Sequence, residues 1–342
     1  MLPSAIEVMT AELAQVGNPS SLHSAGRRAR KVVEQAREQV AAALGARPAD
    51  VVFTGGGTEA DNLAVLGLYR ARRSADPART VVLASAVEHH AVLDPVQALA
   101  DSESATVFWL PVDPQGRIRL DALQQLLDEH SSRIALVTVM AANNEVGSRQ
   151  PVAEVTALCS AHDIPVHSDA VQAVAWDDFD FAASGLATAA VSAHKVGGPH
   201  GVGALLVSRD TTVAPVLFGG GQERNVRSGT LDAPAVAAFA AALTDAVVQR
   251  ADNRARVARL RDDLVQAVVA VDPTAVLNGS TDGLPSIAHF SFPGCEGDAL
   301  LMLLDAAGVQ CSTGSACTAG VPEPSHVLLA MGASRALAKS SL

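Results

Sequence analysis

Thr188-Ala-Ala-Val-Ser-Ala-His-Lys-Val-Gly-Gly-Pro-His-Gly-Val-Gly203 is the segment around which the rest of this chain can be organised. A short apolar run leads to Ser192, His194 and Lys195, a glycine-rich turn follows, and an apolar run resumes at residues 204–207. Burial where a strand meets such a turn lowers the pKa of a lysine, which can then attack a carbonyl as a free amine. The pattern indicates a Schiff-base lysine, and a solvated loop lysine is the alternative that this segment leaves open.

The chain has 342 residues, more than one hydrophobic core usually supports, so we expect one large domain and a smaller companion. We predict a large domain over residues 1–248, with its first residues packed against the small domain, and a small C-terminal domain over residues 249–342. Hydrophobic residues make up 49% of the sequence and aromatic residues 3%, so Ala, Val and Leu must fill a globular core.

The charge of the chain bears on its partners and its location. A net charge of −11 repels nucleic acids and anionic membrane surfaces, so neither is expected to bind. The apolar runs are short and interrupted, and the first residues lack the basic and apolar regions of a secretory signal. The sequence therefore predicts a cytoplasmic protein that does not enter a membrane.

Short apolar runs alternate with helical patterns over the first half of the chain, which is typical of βαβ units. We predict an α/β fold with a mostly parallel sheet between two helical layers, followed by a smaller α+β domain. The predicted strands cover residues 51–53, 81–84, 106–110, 134–140, 165–167 and 286–292. The predicted helices cover residues 25–44, 63–69, 91–100, 120–128, 152–161, 234–271, 297–307 and 325–331.

Polar residues follow several of these strands, at the sheet edge where α/β proteins bind ligands. Thr54-Gly-Gly-Gly-Thr58-Glu59 joins a strand to a helix, and bare amides at such a helix start suit a phosphate. A plain strand-to-helix turn is the alternative. Further polar clusters are Glu88-His-His90, Asn143-Asn-Glu145 and Ser168-Asp-Ala-Val-Gln172.

A lysine, a phosphate cradle and a carboxylate for a ring nitrogen are together what pyridoxal phosphate (PLP) requires. Asp169 is the candidate for the ring nitrogen, although a helix N-cap fits the same position. The side chain of His89 could stack on the ring, whereas a lone histidine is more often structural. Gln172 and Asn144 are candidates for the ring oxygen and the substrate. The phosphate candidates are Gly57, Thr58, Ser192 and His194.

The chain contains four cysteines. Cys159 falls in an apolar helical pattern and is expected in the core. In a long cytoplasmic chain the cysteines are expected to be reduced, and no fourth ligand at a recognisable spacing accompanies Cys295, Cys311 and Cys317, so no metal site is expected.

Eight motifs, in order and over nearly the whole chain, resemble the cysteine desulfurases that supply sulfur for nitrogenase and housekeeping iron–sulfur clusters. This group lies within the fold type I PLP enzymes of the class V aminotransferase superfamily. The motifs are Gly17-Asn-Pro-Ser-Ser-Leu-His23, Phe53-Thr-Gly-Gly-Gly-Thr-Glu59, Glu88-His-His-Ala-Val-Leu-Asp94, Asn143-Asn-Glu-Val-Gly147, His167-Ser-Asp-Ala-Val-Gln172, Ser192-Ala-His-Lys195, Arg227-Ser-Gly-Thr230 and Ser312-Thr-Gly-Ser-Ala-Cys317.

The resemblance implies that Lys195, His89 and Cys317 are catalytic, with Lys195 bound to PLP and Cys317 carrying a persulfide. It also implies a homodimer in which Thr230 reaches the phosphate of the other subunit. The implied substrate is L-cysteine, the product is L-alanine, and the sulfur passes to an acceptor protein. A selenocysteine lyase, another class V PLP enzyme and a non-catalytic sulfur-transfer subunit are the alternatives.

The two ends of the chain depart from the family pattern. The family usually begins with a strand carrying an aspartate and an Ala-Thr-Thr-Pro turn, and it places an arginine for the substrate carboxylate after a Ser-Ser pair. This chain begins at Met1-Leu-Pro3 and stops at Ser340-Ser-Leu342. From this we expect a chain that binds the cofactor and turns over cysteine slowly, because a charge-assisted pair that fixes the substrate is missing.

Overall fold

The structure is a computed structural model that describes residues 1–314 and 324–342. Helices and strands alternate along the chain as the sequence predicts. The helices are α1 (Pro3–Leu13), α2 (Ser24–Ala43), α3 (Gly57–Ala75), α4 (His90–Glu103), α5 (Leu120–His130), α6 (Val152–Ser160), α7 (Phe181–Ser184), α8 (Ala233–Val248), α9 (Arg250–Val271), α10 (Gly297–Ala306), α11 (His326–Ala330) and α12 (Arg335–Lys339). The strands are β1 (Val51–Thr54), β2 (Val81–Ser85), β3 (Thr106–Leu110), β4 (Ile134–Thr138), β5 (Val166–Asp169), β6 (Thr188–Ser192), β7 (Gly203–Val207), β8 (Val276–Asn278) and β9 (His289–Ser291).

Seven strands form one sheet in the order β1-β7-β6-β5-β4-β2-β3. The pairs between β6 and β3 are all parallel, whereas β7 runs antiparallel to both β6 and β1. The predicted mostly parallel sheet is confirmed. Every residue of β1, β2, β4, β5 and β6 is buried, as expected for strands covered on both faces.

Two apolar clusters fill the space on either side of this sheet. One contains side chains of α2, α5, α6, α7 and α8, and the other contains side chains of α3 and α4. Since each helix buries an apolar stripe against one face of the strands, the large body of the protein has three layers. This arrangement leaves the carboxyl ends of β4, β5 and β6 open to a cavity.

The C-terminal part contains α9 to α12 and the antiparallel pair β8–β9. The end of the chain pairs beside β9, because the Phe290 and Leu342 backbones exchange two hydrogen bonds of 2.8 Å. None of the helices within residues 1–314 and 324–342 is long and apolar enough to cross a membrane.

Several predicted elements exist with different limits. The helical region predicted over residues 234–271 is confirmed as helical and consists of two helices that meet at Gln249, and the strand predicted over residues 286–292 is only three residues long. The helices α1, α7 and α12 and the strand β8 were not predicted. The boundary predicted after residue 248 lies between α8 and α9, and it stays a prediction.

The first residues also pack differently from the prediction. The amide of Leu2 donates to the carbonyl of Gly197 over 2.8 Å, and the hydroxyl of Ser4 donates to the carboxylate of Asp245 over 2.5 Å. Helix α1 therefore lies on α8 and the lysine turn, where Ala5 is fully buried. It belongs to the large body rather than to the C-terminal part, because α8 offers the apolar surface that α1 covers.

Candidate functional site

A cavity of about 970 Å³ lies between the carboxyl ends of the central strands and the C-terminal part. It gathers the sequence-predicted site residues of the described chain, apart from Thr230. These lining residues are Gly57, Thr58, His89, Asn144, Asp169, Gln172, Ser192, His194 and Lys195. Thr230 is exposed and lies outside the cavity, and Cys317 lies outside the described residues.

Lys195 lies on a short 3₁₀ turn, Ala193–Val196, that directly follows β6. The turn closes at Gly197, whose φ of 84° suits glycine, and the Gly198 amide donates to the Ala193 carbonyl over 2.8 Å. The side chain of Lys195 is exposed in the cavity. The prediction of a buried lysine was therefore wrong, because Lys195 lies past the end of the buried strand, on the lining of the cavity.

The start of α3 forms one end of the cavity. Its N-cap is Gly56, with a φ of 139°, and no side chain caps the first turn. Gly57 has no room for a side chain, since a Cβ there would lie 2.9 Å from the Val171 side chain. The amides of Gly57 and Thr58 are thus left facing the cavity without a side-chain partner, which is the arrangement that favours an anion.

Ser192 and His194 lie next to this helix start. The Ser192 hydroxyl and His194 Nδ1 are 2.8 Å apart, and the His194 ring stacks on His200 with 5.3 Å between ring centres. Partial burial, together with Lys195 and His200, lowers the pKa of His194. The neutral ring can share a hydrogen bond with an anion at the start of α3.

The floor of the cavity carries carboxyl groups with little access to water. Burial raises the pKa of Asp169 to about 6, and its Oδ1 accepts a hydrogen bond of 2.9 Å from the Val171 amide. Behind it, burial and the nearby Asp169 raise the pKa of Asp61, which is paired with His167 at 3.2 Å. Glu88 does not line the cavity, and burial raises its pKa to about 8. A cationic group above Asp169 would relieve this concentration of acidic groups.

His89 is held at the N-cap of α4, where its Nδ1 accepts the Ala91 amide over 3.1 Å. Since Nδ1 is an acceptor, the neutral ring carries its proton on Nε2. Burial, the neighbouring His90 and Lys195 lower the pKa of His89. The ring therefore lines the cavity in its neutral form, with a fixed orientation.

The two amides of the predicted set differ in their neighbourhood. The side chain of Asn143 is fully buried and bonds the backbone of Val87, Glu145 and Val146, so it shapes the turn after β4. This turn leaves Asn144 on the cavity wall, and Gln172, three residues after Asp169, also lines the cavity.

Some lining residues were not predicted as site residues. Burial raises the pKa of Glu145 to about 7, and its Oε2 accepts a hydrogen bond of 2.5 Å from Ser325. His289 is 5% exposed, and its Nε2 has no hydrogen-bond partner in the part of the chain that the structure describes. The polar motif around Glu145 signalled a site, whereas nothing local signalled His289, which reaches the cavity from β9.

Known proteins resemble this chain over nearly its whole length. A family model described as "Aminotransferase class-V" matches residues 2–341, and the chain belongs to that family. Fold type I, the three-layer arrangement of this family, is therefore the class of fold that holds the cavity.

Among its relatives, the chain is 53% identical to an IscS-like cysteine desulfurase of Mycobacterium tuberculosis, over 100% of this chain and 87% of that protein. It is 40% identical to the cysteine desulfurase NifS of Azotobacter vinelandii, over 93% of this chain and 77% of that protein. A solved structure titled "NifS-like protein" superposes with a TM-score of 0.91 and 32% identity, covering 100% of this chain and 89% of that one. The resemblance inferred from the motifs is confirmed.

Proposed function

We propose that this protein is a PLP-dependent cysteine desulfurase that converts L-cysteine into L-alanine and leaves the sulfur as a persulfide on Cys317. The observation that carries the proposal is the single cavity that contains Lys195, Asp169 and the uncapped start of α3. The names of the relatives that share the family and the fold support the same reaction.

The residues of the cavity fit PLP at both ends of that molecule. The amides of Gly57 and Thr58 would hold the phosphate, because no side chain caps the first turn of α3, and Ser192 and His194 would assist them. Asp169 would hold the ring nitrogen, since a buried carboxyl group gains a cationic partner there. Gln172 would bond the ring oxygen. When bound, PLP supplies a ring that withdraws electrons from the α-carbon of an amino acid.

Lys195 has two tasks in this proposal. Its Nζ would hold the cofactor, and as a free amine it would move the proton of the substrate α-carbon. The exposed position of Lys195 in the cavity suits both tasks, because the side chain can move without disrupting the core. His89 would lie beside the ring and could hold a proton at Nε2. Asn144 would bind the substrate.

The sulfur step uses Cys317 as its nucleophile. The thiolate of Cys317 attacks the sulfur of L-cysteine, the bond between that sulfur and the β-carbon breaks, and a sulfur–sulfur bond forms. Protons return to the α- and β-carbons, so L-alanine leaves while the persulfide stays on the enzyme. An acceptor protein then removes the sulfur atom.

The proposal extends to assembly and location. Thr230 is exposed and does not line the cavity of its own chain, which supports the proposal that it reaches the phosphate site of a partner subunit in a homodimer. We further propose that the enzyme works in the cytoplasm and that its sulfur feeds iron–sulfur cluster assembly.

The test combines spectroscopy with product analysis. The purified protein is expected to carry a yellow chromophore that borohydride fixes to Lys195, and L-cysteine should change the absorbance spectrum while alanine accumulates. Lys195→Ala should abolish both signals. A protein that binds no PLP would overturn the proposal.

Two cysteine variants separate desulfuration from related reactions. Cys317→Ser should abolish persulfide formation and keep the chromophore, whereas Cys295→Ser, at an exposed cysteine, should change neither. Retention of desulfuration in Cys317→Ser would exclude the proposed nucleophile and favour another PLP-dependent lyase.

A further inference from the structure

An ion pair at the edge of the cavity has no role in the mechanism described so far. Arg227 Nε lies 2.7 Å from Glu59 Oε1, and Arg227 Nη2 lies 3.3 Å from Glu59 Oε2. The side chains are 16% and 32% exposed, so this two-contact pair is partly shielded from water. Neither residue lines the cavity, although Gly55, Gly56, Gly57 and Thr58 do.

Glu59 also shapes the anion-binding turn. Its Oε2 accepts the Gly55 amide over 2.7 Å, so the third residue of α3 reaches back over the glycines that precede the helix. This contact fixes the turn in the form that leaves Gly57 and Thr58 without a cap. It also places a carboxylate beside the position proposed for the phosphate, where two negative groups would repel each other.

The segment that carries Arg227 is attached to the sheet, which keeps the guanidinium group next to the Glu59 carboxylate. Arg227 lies across a tight turn from Glu223, whose amide donates to the Arg227 carbonyl over 2.9 Å. The Glu223 carboxylate is buried and makes two contacts of 2.8 and 2.7 Å with Arg37 and one of 2.9 Å with the Phe53 amide. The segment that carries Arg227 is thereby attached to β1, which leads into the same glycine turn.

We propose that Glu59 and Arg227 are positioning residues for the phosphate site: Glu59 fixes the glycine turn, and Arg227 cancels the charge that Glu59 would otherwise present to the phosphate. The inference rests on the proposed function, because the anion in question is the PLP phosphate. It goes further by assigning a role to two residues that do not contact the cofactor.

A double-mutant cycle tests this inference by equilibrium binding of PLP to the apoprotein, followed by absorbance. Arg227→Met keeps most of the side-chain volume and exposes the Glu59 charge, so PLP binding should weaken about three- to tenfold. Glu59→Gln can still accept the Gly55 amide, and it should bind PLP as tightly as the unaltered protein or more tightly. The double variant Glu59→Gln/Arg227→Met should recover most of the affinity that Arg227→Met loses.

Two further measurements distinguish a charge effect from a structural one. Pyridoxal, which lacks the phosphate, should bind Arg227→Met and the unaltered protein equally, and the PLP defect should shrink at high salt. Arg70→Met removes an ion pair with Glu103 elsewhere on α3, 2.7 Å in length, and should leave PLP binding unchanged.

Equal weakening of PLP and pyridoxal binding in Arg227→Met, or no rescue by Glu59→Gln, would overturn the inference. The ion pair would then only hold the two segments together. If Arg227→Met does not fold, the Glu59→Gln variant alone decides, since weaker PLP binding there contradicts the proposed charge effect. Failure of the proposed function is separate, because the unaltered protein would then bind no PLP at all.

Discussion

The cavity has one wall from the sheet of the large body and another from the C-terminal part, and the two are stabilised differently. The body wall rests on strands buried along their whole length and on α8, in which nine residues are buried. In α9 only Arg250 is buried, and in α10 only Gly297. These helices instead expose large apolar side chains, including Leu260, Leu264, Met302 and Leu303.

Polar contacts and two small apolar clusters join the C-terminal part to the body. The Leu284 amide donates to the Gly147 carbonyl over 2.7 Å, and Ser325 donates to Glu145 over 2.5 Å. Val327 and other α11 side chains pack against Val87. Apolar burial therefore holds the residues of the body wall in position, whereas a limited number of specific contacts holds the opposite wall.

The largest effect is expected at the buried floor of the body wall. Asp169→Asn keeps the volume and the acceptor for the Val171 amide but removes the negative charge, so kcat for alanine formation should fall at least about a hundredfold. Asp263→Asn, the same change at an exposed position of α9, is the control and should be neutral. A loss of less than about threefold in Asp169→Asn would contradict the role of this carboxyl group.

A pair of truncations tests the packing difference directly. Phe239 of α8 is fully buried, and Phe239→Ala should lower the free energy of unfolding by about 3–5 kcal/mol. Leu303 of α10 is 69% exposed, and Leu303→Ala should change it by less than about 0.5 kcal/mol. Urea unfolding monitored by circular dichroism measures both, and similar losses in the two variants would contradict the comparison.

The pH dependence of stability should distinguish Glu88, which does not line the cavity, from Glu145, which does. Burial raises the pKa of Glu88 to about 8 and that of Glu145 to about 7, from an ordinary value of 4.5. Between the ordinary value of 4.5 and each raised pKa, the folded state therefore binds more protons than the unfolded chain. The free energy of unfolding falls as the pH rises through these two ranges.

Relative to the unaltered protein, the stability gained by Glu88→Gln should grow as the pH rises and level off near pH 8, at no more than about 5 kcal/mol, and the gain of Glu145→Gln should level off near pH 7, at no more than about 3 kcal/mol. Urea midpoints between pH 5 and 9 measure the two curves. Curves that stay parallel to that of the unaltered protein across this range would show that neither carboxyl group titrates as described.

The smallest effect is expected for an exposed ion pair between the two parts. Arg117 Nη2 lies 2.5 Å from Asp282, and the two side chains are 36% and 69% exposed. Asp282→Asn should lower the free energy of unfolding by less than about 1 kcal/mol. Glu154→Gln, at an exposed position of α6, is the matched control, and a much larger loss in Asp282→Asn than in this control would mean that the contact governs docking of the C-terminal part.

Sequence patterns predicted the body well and the C-terminal part poorly, for a physical reason. The buried strands of the body are continuous apolar runs, and polar residues such as Asp169 and Ser192 mark the ends of β5 and β6. Strand β8 has only three residues, and what makes it a strand is its distant partner β9. Local patterns carry no signal for such a pairing.

The sequence by itself determined the family, the mostly parallel sheet and the cavity residues supplied by Thr58, His89, Asp169 and Lys195. These follow from local order, because the carboxyl ends of neighbouring parallel strands meet at one edge of a sheet. Only the tertiary structure decided that Lys195 is exposed, that α1 packs on α8, that His289 faces the cavity, and that Arg227 neutralises Glu59. Burial and charge pairing depend on which distant segments meet, and no local spacing encodes that.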